Sequence, residues 1–152
     1  AYLCAVGGVG ITPYAWNGNI STYVPWKLDN TDPVPDNIEF VVYVAGGNDF
    51  LGGAGLQDMV DGYQQFTAVM ASRNIEAIPV LVPISNRSGV PQQLQSWDDW
   101  LLTNTANHVD CVSNHTYAYK DGLHPANTGE ESRFASCVYD ELSRRGIPFT
   151  RP

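Results

Sequence analysis

The chain has 152 residues, 43% of them hydrophobic and 16% charged. That balance suits one globular domain, residues 1–152, with a single core, and excludes a disordered chain. A formal net charge of −8 argues against holding nucleic acid or an anionic membrane surface by bulk electrostatics, because both partners repel it.

Residues 1–6 are short and apolar and predict a strand. Gly7-Gly8-Val9-Gly10-Ile11-Thr12 follows. A glycine cluster after a strand serves a close approach of backbone to a ligand, or a tight turn. Its spacing is not GxGxxG, so it does not match a dinucleotide fingerprint. Residues 13–37 place Trp16, Tyr23 and Trp26 among Pro13, Pro25, Pro33 and Pro35. A short helix at most, then an irregular loop, is expected there. The aromatics either stack on sugar rings or cover core beneath the loop.

Ile38 to Ala45 is a continuous apolar run and predicts a buried strand, broken by Gly46-Gly47-Asn48-Asp49. Leu56 to Arg73 predicts a helix, with Leu56, Met59, Val60, Tyr63, Phe66, Thr67 and Met70 at helical spacing on one face. Ile75 to Ile84 is strand-like, and Pro79 and Pro83 suggest an edge position or an early end. Gln92 to Asn107 predicts a helix with Leu94, Trp97, Leu101 and Leu102 inward. Val109 to Ser113 predicts a short strand. Asn127 to Arg145 predicts a closing helix striped by Phe134, Val138 and Leu142 and stopped by Gly146 and Pro148.

Strands alternating with helices predict a parallel sheet with helices on both faces. No apolar run reaches the ~18–20 residues needed to span a bilayer. Cys4, Cys111 and Cys137 are too few for a disulfide scaffold or a zinc site. Cys4 and Cys111 read as buried thiols, with one disulfide and one free thiol as the alternative. Asn19-Ile20-Ser21, Asn86-Arg87-Ser88 and Asn114-His115-Thr116 match the glycosylation sequon, a triplet that also arises by chance.

Two stretches carry chemistry. In Lys120-Asp121-Gly122-Leu123-His124-Pro125 an acid precedes a histidine by three residues. On a tight loop the Asp121 carboxylate can turn back onto the imidazole. One ring nitrogen is then held as an N–H donor and the other left as a base. The plainer alternative is a polar turn before a helix. In the other stretch, Asn48 follows a buried strand through two glycines. That places its amide at the carboxyl edge of the sheet, where open α/β sheets keep their sites.

Together, Gly-Gly-Asn-Asp at 46–49 and Asp-Gly-Leu-His-Pro at 121–125 resemble the GDSL/SGNH family of serine esterases and lipases. That family carries GxND after its third strand and DxxH before its last helix. The resemblance spans residues 1 to about 142. It implies a three-layer α/β/α fold with a parallel, flavodoxin-like sheet, and a serine-type ester hydrolase that needs no cofactor and no metal. His124 would be the general base and acid and Asp121 its orienter. Asn48 and the N–H of Gly10 (with Gly8 as alternative) would bind the oxyanion, beside Gly47 and Asp49 as substrate contacts.

One part of the family pattern is missing. Its nucleophile is the serine of a Gly-Asp-Ser motif after the first strand, and no such triplet occurs here. Ser21, Ser85, Ser88, Ser113, Ser132 and Ser136 all lack that strand-to-helix setting. The resemblance therefore implies that an upstream segment supplies the first strand, the first helix and the serine. The first residue, Ala1 rather than Met, fits a processed or cut chain. The expected substrate is a small or polysaccharide ester and the expected setting extracellular or virion-associated. The competing reading is a non-catalytic carbohydrate-binding or structural module of a larger assembly, such as a viral tail. A doubly wound phosphate-binding domain is a third, but no phosphate-cradling loop is visible.

Overall fold

The computed structural model describes residues 9–15, 17–30, 38–81, 90–113, 115–120, 124 and 126–147. The elements run α1 (Ile20–Asn30), β1 (Phe40–Val44), α2 (Gly47–Leu51), α3 (Leu56–Ala71), β2 (Glu76–Val80), α4 (Pro91–Asn104) and α5 (Thr128–Arg144). The strand expected at residues 1–6 lies outside the described residues.

β1 and β2 pair in parallel, from Phe40 opposite Glu76 to Val44 opposite Val80. Side chains alternate across the two faces, as a pleated strand requires. Tyr43 and Ala77, with Val41 beside them, pack into a core shared with Ile20, Phe66, Leu94 and Trp97 of α1, α3 and α4. Ile78 and Val80, with Phe40 and Val42, pack instead with Leu142, Phe134 and Val138 of α5. Helices thus cover both faces of a parallel sheet, as expected.

β2 is not at an edge, because Val109 bridges Val80 in parallel on its other side. The Glu76 N–H donates to Glu39 on the β1 side, whereas Pro79 O and Leu81 N–H pair with Val109. The N–H that Pro79 lacks would therefore face Val109, where the pairing is a single bridge. The strand expected at 109–113 shrinks to that bridge for a local reason. The Asp110 carboxylate accepts the N–H groups of Val112 (3.0 Å) and Ser113 (2.9 Å), which turns the chain out of the sheet.

The largest departure is α1, eleven residues long with Pro25 inside it. The Asn19 side chain accepts the Ser21 N–H at 2.7 Å, which caps the helix start. Ile20, Val24 and Leu28, four apart, supply its inward stripe. Asp29 at its end meets Arg73 at 2.8 Å; that pair is exposed and adds little stability. In α3 the inward residues are those expected, except that Leu56 is exposed. The helix stops at Ala71, and Asn74 takes the left-handed conformation (φ 58°) that commonly ends helices. In α4, Pro91 occupies the first turn, where its missing N–H costs nothing. Leu94, Trp97 and Leu101 are buried there, but Leu102 faces solvent.

Cys111 is not a thiol: it forms a disulfide with Cys137 of α5, with the Cα atoms 5.8 Å apart. Cys4 lies outside the described residues. The bond joins the chain just past the Val109 bridge to the helix that closes the fold. In the chain-entropy account a loop of this size is worth about 3–4 kcal/mol. Cys137→Ser, or reduction, is therefore expected to lower unfolding free energy by about that amount, read as a lower urea midpoint.

Candidate functional site

β1 ends at Val44, and Gly46 turns the chain with φ 134°, a conformation open to glycine and strained for other residues. α2 starts at once, so Gly47, Asn48 and Asp49 sit at the carboxyl end of β1. Gly47 and Asn48 are half-buried. Asn48 Nδ2 donates to Val9 O at 3.3 Å, long for such a bond. The structure thus brings the Asn48 amide to the glycine cluster, 39 residues earlier in the chain.

Asp49 takes a different place from the one expected of a substrate contact. Its side chain is 0% exposed. Oδ1 accepts the Thr12 N–H at 2.8 Å and the Thr12 hydroxyl at 2.7 Å, and Oδ2 accepts the Gly46 N–H at 3.1 Å. No solvent-facing oxygen is left to meet a substrate.

Gly10 is buried, and a Cβ there would lie 2.3 Å from Asp49 Oδ1. Its N–H donates to Gly18 O at 3.1 Å, and its carbonyl accepts the Ile20 N–H at 2.8 Å. An oxyanion role for that N–H would require surrendering the bond to Gly18. Gly8, the alternative, lies outside the described residues. The same segment is seated by two further glycines. A Cβ on Gly62 would lie 2.4 Å from Ile11 O, and one on Gly52 2.0 Å from Tyr14 O.

Asp121 lies outside the described residues, so its pairing with His124 does not enter the geometry. His124 is exposed, and its carbonyl accepts the Lys120 N–H at 3.1 Å. The Ala126 N–H donates to Ala118 O at 2.8 Å and closes the loop two residues further out. Val109 runs parallel to β2, so this segment, like α2, leaves the sheet at its carboxyl edge.

Sequence reading missed what holds that loop. Glu130 Oε2 accepts the Ala118 N–H at 3.2 Å, and Arg133 Nη1 donates to Glu130 at 3.0 Å. The Tyr117 hydroxyl donates to Cys111 O at 2.8 Å, and its ring meets Phe134 edge-on at 5.7 Å. The signal for part of this was present in the chain. Asn127 and Glu130 are spaced as a helix cap, and the Asn127 side chain does accept the Glu130 N–H at 3.1 Å. Thr12, the partner of Asp49, had no such local signal.

A cavity of about 250 Å³ lies at the same edge, lined by Leu81, Gln95, Asp98, Leu102, Val112 and Ser113. Burial pushes the nearby Tyr119 phenol up to about 12, and the charges of Tyr117, Asp98 and Glu130 add to the effect. Tyr119 therefore stays neutral, a donor rather than a base. Among the described residues no group of three or more His, Cys, Asp or Glu could hold a metal.

The Ala118 N–H holds the Glu130 carboxyl below its ordinary 4.5, against some burial and with help from Arg133. A carboxylate depressed in the fold stabilises above its unfolded value, and that stability is lost as pH falls through the folded one. The Ala118 amide shift is therefore expected to titrate below pH 4.5 in an NMR series. Glu130→Gln should abolish that titration.

No protein-family model matches the sequence, and no curated protein matches it. Solved structures do. Est24, a carbohydrate acetylesterase from Sinorhizobium meliloti, superposes with a TM-score of 0.72 at 12% identity, over 92% of this chain and 76% of its own. The M. smegmatis aryl esterase gives 0.66 at 13% identity, over 94% and 76%. A Desulfitobacterium hafniense protein assigned to the lipolytic G-D-S-L family gives 0.54 at 16%, over 76% and 72%. At such identities the likeness is one of architecture: this chain has the α/β fold of the GDSL/SGNH esterases.

Proposed function

We propose that the chain forms the larger part of a serine-type ester hydrolase of the SGNH/GDSL class, acting on an acyl or acetyl ester. One observation carries the reading: a half-buried asparagine amide stands on a glycine turn at the carboxyl end of β1, in a fold shared with esterases. A carbohydrate ester is the favoured substrate, because one of those neighbours is a carbohydrate acetylesterase.

In this reading the serine hydroxyl attacks the ester carbonyl and passes its proton to His124. Asp121 holds the imidazole in the tautomer that accepts it. The Asn48 amide stabilises the negative oxygen of the tetrahedral intermediate. The intermediate collapses, His124 returns the proton to the departing alcohol, and water then repeats the sequence on the acyl-enzyme. Gly10 contributes through its closeness to Asp49 rather than through its N–H.

The serine comes from a segment outside these residues. The described serines lie on α1, α4 and α5, at the end of α3 or in the turn at Ser113, none at a strand-to-helix turn. Among the described residues β1 has β2 as its one partner strand. On the α5 side Phe40 and Val42 are half-buried and Val44 is 49% exposed. We assign the missing strand to the other edge of β1 and the missing helix to that apolar face. The absence of a suitably placed serine among the described residues also favours the second reading, a non-catalytic carbohydrate-binding or structural module. In either reading the setting is extracellular or virion-associated, which the Cys111–Cys137 disulfide supports.

The test is hydrolysis of a chromogenic short-chain ester by the intact gene product. Asn48→Ala is expected to lower kcat roughly 10²–10³-fold, and His124→Ala to remove most turnover. A fluorophosphonate label should map to a serine upstream of Ala1. Turnover unaffected by His124→Ala, or a label within residues 1–152, overturns the assignment.

A further inference from the structure

We infer that Asp49 is the positioning residue for the oxyanion-binding end of the site. Its buried carboxylate fixes the Asn48 amide against residues 9–12, and Gly10 is the clearance that admits it. The inference rests on the reading of Asn48 as oxyanion donor.

The bonding of Asp49 is divided between two parts of the chain. Oδ2 folds back onto the Gly46 N–H, at the start of its own helix. Oδ1 reaches Thr12, 37 residues away, and accepts both its N–H and its hydroxyl. Asn48 lies between Gly46 and Asp49 in the chain. It cannot turn relative to residues 9–12 without breaking bonds to a carboxylate that is 0% exposed. Such bonds are held firmly, because a buried carboxylate stripped of donors is expensive.

The contact that Asn48 itself makes cannot do this holding. Its 3.3 Å bond to Val9 O is longer than the usual 2.9–3.0 Å. An amide placed by its neighbour and only weakly engaged can transfer to a developing negative oxygen without reorganising the loop. That is the condition under which fixed donors stabilise a transition state best. Gly10 completes the arrangement. Any side chain there would occupy the space of the carboxylate, 2.3 Å from Cβ to Oδ1. The glycine expected to donate an N–H serves instead by having no side chain.

The experiment is NMR on the full chain with Asp49→Asn, Thr12→Val and Thr12→Ser. In wild type the Asn48 side-chain amide should show cross-relaxation to Val9 and Gly10. In Asp49→Asn that signal should vanish, and the Thr12 and Gly46 amides should exchange roughly tenfold faster or more, while α3 and α5 resonances stay in place. Thr12→Val, which keeps volume and removes one donor, should weaken the signal, and Thr12→Ser should restore it. If Asp49→Asn does not fold, Thr12→Val decides. An unchanged Asn48 signal in a folded variant overturns the inference. In the intact gene product the same variants should lower kcat and leave KM near its wild-type value. If the NMR effects appear but wild type hydrolyses no ester, the positioning stands and the esterase reading fails.

Discussion

A charge sealed away from water dictates the rest of this arrangement. The Asp49 carboxylate lies where solvent does not reach it, so its oxygens must be met by donors from the chain. Among the described residues three come, from Thr12 and Gly46. They draw a segment near residue 10 onto a short helix that follows β1. Once that contact is required, several residue choices follow. Position 10 must lack a side chain, and positions 52 and 62 must admit the carbonyls of Tyr14 and Ile11. Position 46 must adopt a backbone shape that other residues resist. The glycines near the site are the steric counterpart of one carboxylate and the segment it holds.

How much of this was legible depended on how local each cause was. The helices at 56–71 and 128–144 showed themselves through spacing, because burial of one face is written along the chain. The place of Asn48 at the end of β1 was readable because a run of apolar residues ended and two glycines followed. α1 was hidden by Pro25. The stripe of Ile20, Val24 and Leu28 was present, but the proline and its polar neighbours outweighed it. The 109–113 segment misled in the opposite direction, since its apolar residues suggested a strand that the Asp110 side chain diverts. Asp49 was expected as a substrate contact only through the family resemblance. Its partner Thr12 lies 37 residues away in the chain, and no local pattern encodes that pairing.

The two faces of the sheet are clothed unequally. One carries α1, α3 and α4, with Tyr63, Trp97 and Trp100 meeting ring to ring, the two tryptophans stacked at 5.4 Å. Among the described residues the other carries α5 alone, with a core of Ile78, Val80, Val109 and Leu142 around the disulfide. The thinner face is the one toward which Val42 and Val44 point. On that side Val44 is 49% exposed.

The link between Cys111 and Cys137 has one more consequence. Everything from Val112 to Ser136 hangs within a covalent ring, and His124 lies in that ring. A peptidase that cuts beside the exposed His124 would open the chain without releasing α5, because the sulfurs still tether that helix to the sheet. Damage at this rim would leave one molecule with an unaltered mass apart from a water, and only a reducing gel would reveal two pieces.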